Sequence, residues 1–249
     1  MQAFLDFFEG KTYADAANGL FGIKHILWIT LTFVLLAALY PVLKRHKRIA
    51  DIALTVFAVT MLVLRFVKYF IMYPFVWENS FARIIPYELC TIMSYVLPFT
   101  VLFRTHRLNS FIYPLAVFGG TVTLGYADWV FDGNSINFNK LESMIVHILL
   151  IYIPVLSAAA DRYRFDVAKI YRPFAAMALL LVYAEVANEW ITPGANHMYT
   201  RVNPLPIDTA PLHHMFLLGA GFVLFMAIIH APDIVRRITA GIKRTGKTA

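Results

Sequence analysis

The chain has 249 residues, 59% of them hydrophobic and only 15% charged, with a formal net charge of +7 and a mean hydropathy of +0.64. A soluble domain carries about 25% charged residues and roughly 45–50% apolar ones, so this sequence lacks the polar side chains to cover a soluble surface. With 12 Gly, 12 Pro and one Cys, disordered, collagen-like and disulfide-scaffold classes are excluded too, which leaves a polytopic membrane protein.

Residues 1–19 hold Asp6, Glu9, Lys11 and Asp15 among aromatics. They lack the basic start and cleavage site of a signal peptide and are read as an extracytoplasmic, interfacial segment. Apolar runs of spanning length then predict seven membrane helices between residues 20 and 232. The first, 20–43, has His25 near its beginning. The second, 49–73, carries Arg65 and Lys68 toward its end. The third, 85–103, opens with Pro86, Glu88 and Cys90, Pro86 suiting a first helical turn. The fourth, 109–129, holds Thr121, Thr123 and Tyr126 in its second half. The fifth, 141–160, opens with Ser143 and His147, the sixth, 169–192, closes with Glu185, Asn188 and Glu189, and the seventh, 211–232, opens with His213 and His214. Residues 233–249 form a basic tail.

Of the 22 Lys and Arg residues, 15 fall in the 43–49, 103–109 and 160–172 loops and the tail, and four on the opposite side. By the positive-inside rule the C-terminus is cytoplasmic and the N-terminus outside, in a cell membrane. The excess charge is therefore an orientation signal, and nucleic acid is dropped as a partner. The expected architecture is an all-α seven-transmembrane-helix bundle.

Orientation gives each polar residue a depth. Every span contributes polar groups to the outer half, and the inner halves are almost wholly apolar. Ionisable groups at such depth normally face a bundle interior or a wet cavity, so a polar chamber open to the outer leaflet is expected. Lys24, Asp128 and Glu142 lie within a turn of a span's end and are read as interfacial. Arg65 and Lys68 share one helix face, as do Glu185, Asn188 and Glu189, which predicts a buried pairing between spans two and six. In the functional version of that pairing, Arg65 or Lys68 holds a lipid phosphate.

A cysteine on an apolar helix is as a rule a packing residue. It becomes a nucleophile beside a base, usually histidine. His25, His147, His213 and His214 lie at the depth of Cys90, and Ser143 stands one turn before His147. Glu88 and Cys90 are about 200° apart on an ideal helix and are not expected to face one small ligand together. Asn188 and Asn196 are the candidate oxyanion donors.

Phe21-Gly22 with His25, Glu88-Leu89-Cys90, Phe118-Gly119-Gly120, Ser143 with His147, and Gly194-Ala195-Asn196-His197-Met198-Tyr199 follow one another along residues 20 to 232. In that order they resemble the YwaF-like integral membrane proteins and the related transmembrane protein 164 family. The resemblance implies a membrane acyltransferase that moves a fatty acyl chain between phospholipids, with Cys90 as nucleophile and His147 as its partner. The androgen-induced intramembrane hydrolases are similar in layout, with Thr in place of Cys. Two positions depart from the pattern. Relatives often carry His where this chain has Glu88, and Tyr where it has His197.

A thiol in the outer half does not meet cytoplasmic acyl-CoA, so the expected reaction is CoA-independent. The donor is a phospholipid, the acceptor a lysophospholipid or water, and no cofactor or metal is called for. Two other readings use the same polar residues. A seven-helix metal-dependent hydrolase would draw ligands from His25, His147, His213, His214 and Glu185. A transporter or binding protein for a small polar solute would use the chamber as its site, although no inverted repeat is evident.

Overall fold

In the computed structural model, residues 22–76, 85–126, 130, 137–202 and 213–245 are described. The expectation for residues 1–19 lies outside them. All regular structure among the described residues is helical. Helices α1 (Ile23–Arg45) and α2 (Lys47–Phe66) are separated by His46 alone, and α2 continues as a π-helical stretch, Val67–Val76. Then follow α3 (Leu89–Leu102), α4 (His106–Gly125), α5 (Phe138–Ala159), and α6 (Tyr171–Val186) with its π-helical extension Ala187–Ile191. The last is α7 (His214–Thr245). Short 3-10 turns occupy Val167–Lys169 and His197–Tyr199.

Among the described residues, six helical segments are long and apolar enough to cross a membrane, which makes this a multi-pass membrane protein. The seventh apolar helix, α3, has 14 residues, about 21 Å at 1.5 Å per residue, short of the ~30 Å hydrocarbon layer. In contrast, α7 has 32 residues. It runs without a break through Pro232 into the region read as a basic tail.

Burial ranks the helices. The apolar window of α5 is 67% buried and that of α4 61%, against 11% for α1 and 17% for α6 and α7. α5 is the central post, packed by α1, α2, α3 and α4. Leu27 and Val34 on α1, Leu179 and Val182 on α6, and Leu224 and Ile228 on α7 stand exposed. Side chains that a soluble fold would bury make the lipid-facing surface here. Tyr152 of α5 donates to the Thr32 carbonyl of α1 at 2.6 Å, a buried polar contact near the middle of both helices.

The basic loops meet at one end of the bundle. Lys47 donates to Asp161 at 2.6 Å, Arg162 pairs with Asp51, and Arg237 donates to Asp166 at 2.6 Å. Asp233, buried on α7, accepts from the Val167 backbone at 3.0 Å and from Arg237 at 2.9 Å. Asp233 and Arg237, at the start of the expected tail, are thus built into the fold. The hydrogen bond from Lys47 holds the Asp161 carboxyl below the usual carboxylate range, and the Lys47 charge adds to it.

Candidate active site

Helix α3 begins at Leu89, with Glu88 as its extended N-cap. Pro86 therefore precedes the helix rather than starting it. Cys90 is the second helical residue, inside the first turn, where the helix dipole favours negative charge. The Glu88 carboxylate makes no cap bond. It turns outward, where Oε1 lies 3.0 Å from His197 Nδ1 and Oε2 accepts from the Met198 backbone at 2.9 Å. The two positions that depart from the expected pattern are thus bonded to each other.

The Cys90 thiol is fixed from α4. Its Sγ lies 3.2 Å from Thr123 Oγ1. Gly119, one turn earlier on the same face, lets the sulfur press against the helix backbone, since a Cβ at 119 would stand 3.0 Å from it. Gly120 does the same toward the central helix. A Cβ there would meet the His147 carbonyl at 2.8 Å and Ile151 Cγ1 at 2.9 Å. The glycine pair makes α4 a thin partition touching the thiol with one residue and the backbone of the His147 helix with the next.

Asn137 caps α5, its side chain accepting from the Lys140 backbone at 3.0 Å. Within α5, His147 Nδ1 lies 2.6 Å from the Ser143 carbonyl and 3.3 Å from Ser143 Oγ. A carbonyl only accepts, so Nδ1 carries the proton and, in the neutral ring, Nε2 is left with its lone pair. Nε2 has no hydrogen-bond partner among the described residues. This is the tautomer of a general base.

The buried ion cluster is not the one expected. Lys68 donates to Glu142 Oε2 at 2.8 Å, and an Arg65 terminal nitrogen stands 3.0 Å from Glu142 Oε1. All three residues are buried. Glu185 and Glu189 instead bind Arg201 at 2.9 and 2.7 Å on an exposed rim. The correction has a plain cause. α2 packs on α5, whereas α6 packs on α4, so the cations meet a carboxylate on α5. Glu142 looked interfacial because α5 was expected to start at 141. The Asn137 cap starts it three residues earlier and carries Glu142 into the second turn.

A cavity of about 930 Å³ lies between α2 with its π-helical extension, α3, α4, α5, α6 and α7. Arg65, Lys68, Glu88, Cys90, Ser143 and His147 line its polar end, with Thr123. Phe118, Phe174, Met177, Leu181, Phe222 and Val223 line the apolar remainder. Glu88 and Cys90 therefore both face this space despite their angular separation, because it is larger than a small polar ligand.

The other candidates lie elsewhere. His25 is buried and bonded through Nε2 to the Leu124 carbonyl at 2.7 Å, tying α1 to α4. His214 Nε2 lies 2.8 Å from the Tyr199 carbonyl, and the His213 ring sits 4.3 Å from that of His214. Among the described residues no three His, Cys, Asp or Glu side chains group as a metal site. Neither asparagine faces the cavity as an oxyanion donor. Asn188, fully buried, accepts from the His197 backbone at 2.8 Å and donates to the His197 carbonyl at 3.2 Å and Thr200 Oγ1 at 3.0 Å. Asn196 is bonded to Val202 and Arg201 within the same loop.

These bonds strap the 192–202 loop beside the cavity, into which Met198 and Tyr199 project. His197 stacks on Tyr87 with ring centres 4.4 Å apart and bonds Thr192 through Nε2 at 2.9 Å. Met198 takes φ of +53°, a left-handed backbone uncommon outside glycine. The hydrogen bonds that Arg201 donates to Glu185 and Glu189 hold its guanidinium above its ordinary range. Thr123, Glu142 and His197 are the site residues that the sequence reading did not assign. The i, i+4 spacing of Gly119 and Thr123, and an Asn cap at 137, were the signals available.

A family model described as TMEM164 family matches residues 20–231. No curated protein and no solved structure gives a match.

Proposed function

Since the chain belongs to the TMEM164 family, we propose that it is a membrane-embedded lipid acyltransferase in which Cys90 is the nucleophile and His147 the base. The observation that carries this is the shared cavity. A thiol held by Thr123 and a histidine with a free Nε2 line one end of a largely apolar space. At about 930 Å³ it falls within the range of ligand sites, ~300–1,000 Å³. An apolar wall with a few polar groups at one end suits an acyl chain whose ester lies at the thiol.

Cys90 Sγ attacks the ester carbonyl of a phospholipid while His147 Nε2 takes the thiol proton. The ester C–O bond breaks, the proton passes to the departing oxygen, and a lysophospholipid leaves a thioester on Cys90. The hydroxyl of a second lysophospholipid, or water, then attacks the thioester. Its proton goes to His147 and returns to the sulfur. The phosphates of donor and acceptor, and the glycerol backbone, pass through unchanged.

The charge distribution orients this chemistry. All seven apolar helices cross the membrane in this reading, with the C-terminus cytoplasmic and the N-terminus outside. Cys90, at the start of the short α3, then lies below the outer surface of a cell membrane, within lateral reach of outer-leaflet lipid and away from acyl-CoA. The reaction is accordingly CoA-independent.

The test is acyl-enzyme capture. Membranes containing the wild-type chain and a labelled-acyl phospholipid are expected to yield a hydroxylamine-sensitive thioester. Cys90→Ala abolishes it and His147→Ala reduces it about 10²–10⁴-fold, the usual contribution of a positioned general base. A thioester of wild-type yield in His147→Ala, or none in the wild type with active lipid exchange, would overturn the mechanism.

A further inference from the structure

We propose that the Arg65–Lys68–Glu142 cluster is the binding site for the phosphate of a phospholipid whose acyl chain lies along the α4, α6 and α7 wall of the same cavity. The choice of phosphate rests on the acyl-transfer reading, and the site itself rests on charge and burial.

Two cations and one carboxylate are enclosed together, with Arg65 3%, Lys68 8% and Glu142 1% exposed. Arg65 and Lys68 have no other ionic partner among the described residues. The cluster therefore carries one uncompensated positive charge inside the bundle, which is costly unless a counter-anion joins it. Hydrogen bonding leaves the same gap. Arg65 Nε is buried without an acceptor, and the Arg65–Glu142 approach of 3.0 Å lacks hydrogen-bond alignment, so Glu142 Oε1 receives no bond either. A buried guanidinium nitrogen without an acceptor is an exception in folded proteins and marks the cluster as incompletely satisfied.

The placement of the three groups directs the charge. Arg65 and Lys68 line the cavity and Glu142 does not. The carboxylate stands behind the two cations, which present their excess charge to the open space. They sit one turn apart where α2 passes into its π-helical stretch at Val67, a distortion common at functional sites. The Tyr69 ring lies 5.5 Å from the Arg65 guanidinium carbon and 5.8 Å from Lys68 Nζ, supporting both. Glu88, the other carboxylate on the cavity wall, is already engaged by His197 and the Met198 backbone.

The chemistry of the missing partner follows. A planar arginine fork beside a lysine point charge recognises an anionic oxygen group, phosphate or carboxylate. The apolar remainder of the cavity requires that this group head a hydrocarbon chain. A free fatty acid would satisfy both demands but brings no ester to Cys90. A phospholipid brings all three, and one phosphodiester neutralises one excess charge.

The test uses the full-length Cys90→Ala protein in detergent, so that acyl transfer cannot enter the readout. Thermal unfolding and native mass spectrometry are followed with dioleoyl phosphatidylglycerol, dioleoylglycerol, oleate and inorganic phosphate. Phosphatidylglycerol is expected to raise the unfolding temperature and to bind at least ten-fold more tightly than dioleoylglycerol. Arg65→Met and Lys68→Met, added singly, each leave one neutral cation–carboxylate pair. Both are expected to stay folded and to lose that ten-fold preference. Glu142→Gln leaves two like charges enclosed, so it unfolds earlier without lipid and shows a larger shift with phosphatidylglycerol, which a purely structural ion cluster would not produce. Equal binding of dioleoylglycerol, or a preference that survives in both methionine variants, overturns the site. Inorganic phosphate matching the phospholipid overturns a lipid occupant, and oleate binding more tightly overturns phosphate. Failure here leaves the Cys90 thioester unaffected, and absence of that thioester leaves these binding outcomes intact.

Discussion

Adjacent glycines on α4 respond differently to the same added methyl group. At Gly120 a Cβ would lie 2.8 Å from the His147 carbonyl oxygen, 2.9 Å from Ile151 Cγ1 and 3.1 Å from Leu150 Cβ. Ordinary contact begins near 3.5 Å, so α4 and α5 must separate by roughly 0.7 Å, against backbone that cannot rotate away. Overpacking of this kind costs about 1–3 kcal/mol, and the gain of Ala over Gly in a helix offsets up to about 1 kcal/mol of it. Gly120→Ala is therefore expected to be destabilised by ~1–2 kcal/mol, a fall in unfolding temperature of roughly 2–8 °C for a chain of this size. At Gly119 the nearest atom is Cys90 Sγ at 3.0 Å, the end of a side chain, and the next is Leu89 Cδ2 at 3.4 Å. Rotation of the thiol relieves that contact, so Gly119→Ala is expected to unfold within about 0.5 kcal/mol of wild type. The rotation should break the 3.2 Å contact with Thr123 and change the rate at which a lipid-soluble maleimide labels Cys90 severalfold. Thermal unfolding in detergent and timed labelling measure the two quantities on the same sample. Equal destabilisation by both substitutions, or unchanged labelling in Gly119→Ala, would refute the partition role assigned to the pair.

Asn188→Ala is expected to cost about 1–2 kcal/mol by leaving the half-buried His197 amide and carbonyl without partners, and limited proteolysis should then cut within 192–202 faster than in wild type. Asp161 supplies a pH dependence whose sign is fixed. Its carboxyl is held below its ordinary value by Lys47, so its contribution to stability is present above the unfolded value near ~3.9 and is lost as pH falls through the lower folded value. Asp161→Asn should flatten the acid limb of the unfolding profile below about pH 4, with Asn tolerating the residue's φ of +59°.

Much of the fold was legible in the sequence because membrane insertion reads local quantities. A run of apolar residues is long enough to span or it is not, and the sign of a loop's charge does not depend on which helices touch. The predicted spans fall on apolar helices among the described residues, six of them long enough to cross a membrane and the third too short, with ends displaced where a cap or an extension intervenes. Asn137 moves the start of α5 three residues upstream, and α7 runs on to Thr245. Cys90 stands out as the one cysteine of an apolar chain, whereas the choice of His147 among four candidate histidines rests on the family resemblance.

The sequence by itself thus determined the class of protein, the approximate helices and the short roster of reactive groups. Which of those groups meet was decided only by the tertiary structure. Arg65 and Lys68 face Glu142 rather than Glu185 and Glu189, and His25 on α1 and His214 on α7 are spent on backbone carbonyls and do not line the cavity. The physical reason is that depth and helical face place a residue along and around its own axis, whereas its partner is set by which helix lies alongside. That neighbour is chosen by close packing, here by a pair of glycines that lets α4 approach the Cys90 sulfur on α3 and the His147 carbonyl on α5.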